Sequence, residues 1–275
     1  MNMKTTLIAA GLAGVALSPC AEAQIIPCSQ RGPLIWTLSF PQTSLPAWLR
    51  SLPAYRIWGT QNMAVQQEGS TKVLEVTYSK GSIDPATTTA PPGGAGFLYP
   101  SPASFFSGCL AYDVGFEPGF EFAKGGKLPG LYGGDAPSGG ADTSRGFSTR
   151  YMWRTAGAGE VYAYVPEKTG VYGESISPGA WTFTPGQWQR LEQEVIVNHI
   201  GASDGVLRVW VDGTLVVNRG DILYRVADNV LVAGLMFSTF FGGHDPSWAS
   251  PRTQAAFFRD FQFFGSAAMP SKAVR

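Results

Sequence analysis

The chain has 275 residues, including 34 Gly and 20 Pro, and only 15% of its residues are charged. Its 20 basic and 20 acidic side chains balance, which excludes the basic excess that non-specific nucleic-acid binding usually requires. A polyanionic ligand stays compatible with zero net charge, because a cleft needs only a local positive field.

The N-terminal residues have the pattern of a secretory signal peptide. Residues 1–4 give a short basic start, residues 7–17 form an apolar run, and residues 21–23 (Ala-Glu-Ala) fit a signal peptidase site. The apolar run is too short to span a bilayer. We therefore expect residues 1–23 to be removed. The product is expected to be secreted, extracellular and monomeric, without a membrane or nucleic-acid partner.

Two cysteines, Cys28 and Cys109, remain after this cleavage, because Cys20 is lost with the signal peptide. An oxidising compartment favours a disulfide between the two remaining cysteines. Two unpaired buried thiols are the alternative.

Ten runs rich in Val, Phe, Tyr, Trp or Thr and bounded by turn residues predict β-strands. These runs are 72–79, 109–116, 119–123, 146–154, 161–165, 191–197, 206–211, 214–218, 231–240 and 256–264. The Asp212-Gly213 pair predicts a tight turn between two of them. Antiparallel strands at this spacing predict an all-β sandwich or jelly roll, as one domain over residues 24–265 with a loose tail at 266–275. Residues 82–101, rich in Thr, Pro and Gly, are expected to be an irregular surface segment.

Residue types that bind metals are sparse in this sequence. The two histidines, His199 and His244, lie far apart, so we expect neither a histidine metal site nor a cofactor. Glu192 and Glu194 share one face of a predicted strand and could be the carboxyl pair of a glycosidase. Neighbours on one strand are poorly suited to flank a glycosidic bond. A solvated sheet face is therefore the favoured interpretation of these two glutamates.

Polar and basic residues concentrate between residues 120 and 166. A Gly pair interrupts an apolar run just before Lys127, and such a pair commonly marks a bulge or a close approach to the backbone. Residues 146–154 and 160–166 predict two strands of a hairpin around a Gly-rich turn. By parity, Tyr151 and Trp153 of this hairpin are expected to point into the core.

Strand alternation predicts which polar side chains of the hairpin share a face. Ser148 and Arg150 lie two residues apart, as do Tyr162 and Tyr164. With a turn centred on Gly157, Arg150 opposes Tyr164 and all four polar groups share one face. A one-residue slip places the two tyrosines opposite Arg150 and Ser148, so the arrangement depends on register. An ordinary amphipathic hairpin with a tyrosine-rich outer face is the alternative.

Several motifs occur in a specific order along the chain. They are GGKLPGL (125–131), FSTR (147–150), GEVYAY (159–164), VWVDG (209–213) and FSTFFGG (237–243), with Trp248 just beyond. In this order they resemble polysaccharide lyase family 14, which includes alginate lyases of marine molluscs and glucuronate-polymer lyases of algal viruses. The resemblance spans residues 109–263, most of the mature chain.

This resemblance implies a β-jelly roll whose concave sheet forms the substrate cleft. It also implies β-elimination at a 4-linked uronate of an acidic polysaccharide such as alginate or glucuronan, with no metal. A lysine, a serine, an arginine and two tyrosines are functional in the family. Their motifs fall here on Lys127, Ser148, Arg150, Tyr162 and Tyr164.

Lys127, Tyr162 and Tyr164 are the candidate catalytic residues, and the base and the acid stay unassigned among them. Nearby cations would allow a tyrosine to act as the base by lowering its pKa, and a desolvated lysine is the other candidate base. Arg150 or Lys127 would stabilise the enolate that forms when the C5 proton leaves. Ser148 is expected to orient the sugar.

Lys124, Arg154 and His244 are further candidate substrate-binding residues. They belong to a part of the chain in which basic side chains outnumber acidic ones, although solvated loop charges explain several of them equally well. A non-catalytic carbohydrate-binding sandwich is the alternative function, since a fold alone does not decide activity. Such a module would be expected to have lost at least one catalytic candidate, and all three are present.

Overall fold

The structure is a computed structural model that describes residues 25–40 and 45–269. The predicted signal peptide, residues 1–23, and residues 270–275 of the predicted tail lie outside the described residues. Within the described ranges the chain forms one helix, fifteen strands and a few short 3-10 turns. The helix α1 is Leu45–Ser51, and the strands are β1 Leu34–Leu38, β2 Tyr55–Trp58, β3 Met63–Glu68, β4 Thr71–Tyr78, β5 Ala95–Phe105, β6 Ser107–Phe116, β7 Gly125–Gly134, β8 Gly146–Arg154, β9 Ala158–Tyr164, β10 Glu174–Thr182, β11 Trp188–Ile196, β12 Gly205–Val211, β13 Thr214–Ile222, β14 Val232–Phe241 and β15 Gln254–Ser266.

The strands form two antiparallel sheets that pack as a β-jelly-roll sandwich, which confirms the predicted fold class. The eight-stranded sheet has the order β13-β12-β11-β6-β15-β4-β3, and β1 pairs with the second half of β15. The seven-stranded sheet has the order β10-β9-β8-β7-β14-β5-β2. In the part of the chain that the structure describes, no helix has the length and apolar character to cross a membrane.

Aromatic side chains fill much of the core between the two sheets. Trp153 of β8 packs edge-on against Phe116 and Phe241, with ring centroids 5.5 and 5.3 Å apart. Tyr151, also of β8, contacts Tyr112 of the opposite sheet at 6.2 Å. Such rings bury about 150–250 Å² each and favour these edge-to-face contacts. The prediction that Tyr151 and Trp153 are core residues is confirmed.

Most predicted runs coincide with strands, but the run 119–123 does not. The backbone N–H and C=O of Glu121 bond the side-chain amide of Gln254 at 2.9 and 3.0 Å, and this replaces pairing with a neighbouring strand. Residues 95–101, predicted to be irregular, belong to β5 between β14 and β2. The pattern also fails to predict β1, β2, β3, β7 and β10.

A disulfide joins Cys28 to Cys109 of β6, with 5.9 Å between the two Cα atoms. The two cysteines are 81 residues apart in the chain. By the chain-entropy model, a cross-link closing a loop of this length stabilises a fold by about 4 kcal/mol. The bond holds the N-terminal segment against the outer face of the eight-stranded sheet.

That N-terminal segment covers the two glutamates for which a solvated face was predicted, and the prediction is wrong because both are buried. The backbone N–H of Ser29 donates to the Glu192 carboxylate at 3.1 Å. Arg31 and Arg208 both pair with one oxygen of Glu194 at 2.8 Å. Both carboxylates therefore form structural contacts on the eight-stranded sheet, so they are not the carboxyl pair of a glycosidase.

The β8–β9 hairpin has the slipped register. Arg150 opposes Tyr162 and Ser148 opposes Tyr164, so the prediction of Arg150 opposite Tyr164 is wrong. The turn is centred on Ala156, which has the left-handed φ of 57°. The carbonyl of Gly157 accepts the backbone N–H of Phe183 at 2.7 Å, so this glycine packs against the segment after β10 and does not form the centre of the turn.

Candidate active site

A cleft of about 640 Å³ lies on the outward face of the seven-stranded sheet. Strands β7, β8, β9 and β14 form its floor, and the loops before β5, after β9 and after β14 contribute to its walls. Among the described residues, one lysine and three arginines line this cleft, against two carboxylates, Asp84 and Asp245. The cleft therefore has a local excess of positive charge in a chain whose net charge is zero.

Lys127 projects from β7 into the floor of the cleft and is only 7% exposed. Its Nζ lies 2.8 Å from Sδ of Met152 and 3.9 Å from the ring centroid of Tyr162. Among the described residues no carboxylate forms an ion pair with this amine. Burial, and then the charges of Arg150 and Arg154, hold the pKa of Lys127 well below its ordinary value. Lys127 is therefore equipped to accept a proton.

Arg150 projects from β8 beside Lys127 and is almost completely buried. Its Nη1 donates to Oγ of Ser238 at 3.3 Å, and its Nε has no hydrogen-bond partner among the described residues. Burial lowers the pKa of Arg150 to about 10, so the guanidinium stays charged at neutral pH. Arg150 thus lines the cleft as a buried cation that forms no ion pair with a carboxylate among the described residues, which suits it to bind an anionic ligand.

Tyr162 and Tyr164 project side by side from β9, with ring centroids 5.9 Å apart. Burial, and then the neighbouring Tyr164, raise the pKa of Tyr162 to about 12 against the opposing effect of Arg150 and Arg154. The nearby arginines do lower the pKa of Tyr162, but burial outweighs them, so the hydroxyl keeps its proton at neutral pH. The hydroxyl of Tyr164 accepts the backbone N–H of Gly140 at 3.3 Å.

Ser148 is fully buried and does not line the cleft. Its Oγ donates to the backbone carbonyl of Pro137 at 2.7 Å. The next residues of that loop, Ser138 and Gly139, do line the cleft. The sequence predicts that Ser148 orients the sugar. In the structure its hydroxyl instead supports a loop that lines the cleft.

Arg154 reaches the cleft from the end of β8 and is held by a buried carboxylate. Its Nη2 lies 2.6 Å from Oε1 of Glu160, which also accepts the hydroxyl of Ser175 at 2.9 Å. The guanidinium carbon lies 5.9 Å from the ring centroid of Tyr162 and 5.8 Å from that of Trp248. Glu160 thereby fixes a cation beside the Tyr162 ring.

The other two predicted binding residues lie toward the rim. Lys124 does not line the cleft; its Nζ donates to Oγ of Ser247 at 2.6 Å and lies 6.0 Å from the Trp248 ring centroid. His244 does line the cleft, and its Nδ1 lies 2.6 Å from Oδ2 of Asp84. The ring of Tyr172 approaches His244 at 5.4 Å, so loops from three separate parts of the chain meet at this point.

Several cleft residues have no counterpart in the sequence predictions. Met152 follows Arg150 by two residues, so strand parity alone indicates its position on the cleft floor. Arg56, Asp84 and Tyr172 come from an edge strand and two loops, whose approach to the cleft depends on the tertiary fold. No local pattern in the sequence marks these three residues.

Potential metal ligands cluster at one place in the described part of the chain, and it is not the cleft. The group is Cys28, Cys109 and Glu192, on the eight-stranded sheet. Both sulfur atoms are used in the disulfide, so the group does not fit a metal ion. The cleft instead offers an amine, guanidinium groups and phenols, which suit an anionic ligand and proton transfer.

Comparison with known proteins agrees with the geometry of the cleft. The family model for polysaccharide lyase 14 matches residues 66–261, well over half of the chain. A comparison with curated proteins gave no match.

Solved structures of polysaccharide lyases are similar to this chain. The PL-14 alginate lyase from Aplysia kurodai is 31% identical, with a TM-score of 0.76 over 85% of this chain and 99% of its own. An alginate lyase from a Chlorella virus is 26% identical, with a TM-score of 0.70 over 85% of this chain and 100% of its own. An endo-β-1,4-glucuronan lyase from Trichoderma reesei is 11% identical, with a TM-score of 0.56 over 86% of this chain and 98% of its own, and shows a shared fold alone.

Proposed function

Because the chain belongs to polysaccharide lyase family 14 and is therefore a polysaccharide lyase, we propose that it cleaves a 4-linked polyuronate by β-elimination. Alginate and glucuronan are the candidate polymers, since the similar enzymes are described as alginate lyases and a glucuronan lyase. The product would be an oligosaccharide with an unsaturated uronate at its new non-reducing end.

One observation carries this proposal: two buried basic side chains face the cleft without a carboxylate partner among the described residues. Nζ of Lys127 contacts the Met152 thioether and the Tyr162 ring, and the buried Arg150 guanidinium lines the cleft. A uronate carboxylate supplies the partner that the Arg150 guanidinium lacks. A neutral sugar would leave the buried Arg150 charge without a counter-ion, which is costly.

The geometry supports the following role for each group in the proposed elimination. Neutral Lys127 accepts the C5 proton, the electron pair of that bond forms the C4=C5 double bond, and the bond from C4 to the glycosidic oxygen breaks. Arg150 stabilises the negative charge that develops on the adjacent carboxylate. Tyr162, whose pKa of about 12 keeps its proton in place, donates that proton to the departing oxygen.

The elimination leaves the two catalytic side chains in the opposite protonation states. After the reaction Lys127 carries an extra proton and Tyr162 lacks one. Release of the Lys127 proton to solvent and uptake of a proton by Tyr162 restore the starting state.

The function is tested by ultraviolet absorbance during incubation with alginate, polymannuronate, polyguluronate and glucuronan. Elimination creates a conjugated C4=C5 double bond, which hydrolysis does not create. A rise in absorbance on one polymer supports the lyase reaction and identifies the substrate. Binding to a polymer with no rise in absorbance on any of the four would favour a non-catalytic carbohydrate-binding module.

We expect the Glu160→Gln variant to move the acid limb of the kcat/KM profile to lower pH. Activity requires neutral Lys127, so it falls as the pH falls through the pKa of this residue. The Glu160 carboxylate raises that pKa, and its removal therefore lowers it further. The matched control is Glu174→Gln on β10, a partly exposed glutamate that accepts hydrogen bonds from Thr169. An unchanged acid limb in Glu160→Gln, measured over the full pH range, would contradict Lys127 as the base.

Secretion is part of the same proposal. It is supported by the signal-peptide pattern of residues 1–23 and by the Cys28–Cys109 disulfide, which suits an oxidising compartment. N-terminal sequencing of the protein from culture medium tests it, and the expected first residue is Gln24.

A further inference from the structure

We propose that Arg56 forms a distal subsite, in which it binds the carboxylate of a uronate unit away from the bond that is cleaved. This inference rests on the proposed function, because it assumes a polymer with a carboxylate on successive sugars. It adds a binding residue on β2, a strand that carries none of the residues assigned to the reaction.

The backbone at Arg56 is unusual and directs the side chain toward the cleft. Arg56 has the left-handed φ of 50°, a conformation that costs free energy for a residue with a Cβ. The pairing of β2 with β5 also shifts register between Tyr55 and Trp58, on either side of Arg56. Bulges of this kind redirect side chains and are frequent beside active sites. Arg56 lines the cleft together with Trp58.

Arg56 differs from two other arginines at or near the cleft in forming no ion pair with a carboxylate among the described residues. Arg145 forms an ion pair with Asp135, and Arg154 forms one with Glu160. Among the described residues, the Arg56 guanidinium forms one hydrogen bond, in which Nη1 donates to the backbone carbonyl of Asp135 at 3.0 Å.

Three arginines of the described residues line the cleft, and two of them, Arg56 and Arg150, lack a carboxylate partner. Arg150 has that property at the proposed site of reaction. Arg56 has it at a second position, on an exposed strand.

The position of Arg56 suits a second sugar unit. Its guanidinium contacts Asp135 in the loop after β7, and Ser138 and Gly139 of the same loop line the cleft. Arg56 therefore reaches the cleft from β2, whereas Arg154 and Trp248, which contact each other, come from β8 and the segment after β14. The ring centroid of Tyr55 lies 6.0 Å from the Arg56 guanidinium carbon. The single hydrogen bond leaves the other N–H groups of the guanidinium for a carboxylate.

The test compares Arg56→Gln with the wild type on the polyuronate that the wild type cleaves best, and on its oligomers of increasing length. We expect KM to rise about 5- to 10-fold for the polymer and the longest oligomers, as suits a charge-assisted contact in a partly exposed place. The value of kcat and the KM for the shortest cleaved oligomer should stay unchanged. The difference should shrink at high salt, because the contact is ionic.

The matched control is Arg145→Gln, which removes a neighbouring exposed arginine that does not line the cleft and is already paired with Asp135. It should leave KM unchanged at every length. An equal KM for Arg56→Gln and the wild type on all lengths would overturn the distal subsite, while wild-type turnover in the same assay keeps the lyase reaction. A wild type that cleaves none of the polymers would instead reject the proposed function, and the distal subsite with it.

Discussion

Replacing Lys127 with Met is expected to lower turnover by about 10³-fold or more while making the protein more resistant to heat. Loss of a general base commonly costs 10²- to 10⁴-fold in rate, and methionine accepts no proton. The replacement fills a similar volume beside Met152 and removes an amine that is buried without a carboxylate partner among the described residues. Ultraviolet absorbance and thermal unfolding of the same preparation measure both effects.

The stability gain of Lys127→Met should depend on pH. The pKa of Lys127 is lower in the folded protein than in the unfolded chain, so unfolding takes up a proton between these two values. Wild-type stability therefore rises with pH across this window. The gain in Tm of the variant should be largest below the folded pKa and should disappear as the pH approaches the ordinary lysine pKa.

Lys72→Met is the control, because Lys72 lies on β4 of the other sheet and takes no part in the cleft. It should change neither turnover nor the pH dependence of Tm. A folded Lys127→Met protein with wild-type turnover would reject the assignment of the base. A lower Tm at neutral pH would show that Lys127 stabilises the fold, contrary to its burial without a carboxylate partner.

The sequence predicts which side chains of the β8–β9 hairpin share the cleft face, although it predicts the wrong register. Strand alternation gives the same face in both registers. Moving the centre of the β8–β9 turn by one residue changes each cross-strand partner by two positions. Since side chains alternate with a period of two, Arg150, Tyr162 and Tyr164 stay on one face in either register. The predicted cross-strand partners were wrong, but Arg150, Tyr162 and Tyr164 all line the cleft.

Strand β7 was not predictable from composition, because half of its residues are glycine. A Cβ on Gly126 would lie 2.0 Å from the Trp153 ring, and one on Gly133 would lie 2.3 Å from the Phe147 ring. Aromatic rings of β8 occupy the space in which β7 side chains would otherwise lie. A glycine-rich run that normally indicates a turn is here required by close packing against a neighbouring strand.

Burial on the eight-stranded sheet also depended on distant parts of the chain. Glu192 and Glu194 have the alternation of a solvated face, and only the N-terminal segment held by Cys28 covers them. Arg56 was missed for a related reason, because β2 reaches the cleft only through its pairing with β5 at the edge of the sheet. A local sequence pattern predicts which face of a strand a side chain lies on. It does not predict which distant segment covers that face or contributes a residue to the cleft.

The two tyrosines should respond differently to loss of the hydroxyl, and this comparison assigns the acid that the sequence left open. Tyr162→Phe is expected to lower kcat by about 10²- to 10⁴-fold, because the departing oxygen then lacks its proton donor. Tyr162 is the tyrosine whose ring contacts Lys127. The hydroxyl of Tyr164 already accepts the backbone N–H of Gly140, so we expect Tyr164→Phe to raise KM more than it lowers kcat.

The two Phe variants serve as controls for each other, since both remove one hydroxyl from the same face of β9 and keep the ring. Steady-state kinetics on the preferred polymer, with Tm measured on each variant, separates a chemical defect from a folding defect. A larger loss of kcat in Tyr164→Phe would move the acid to Tyr164. Equal and small losses in both would indicate that Lys127 returns its own proton to the departing oxygen, because it would then be the one remaining candidate among the three catalytic residues.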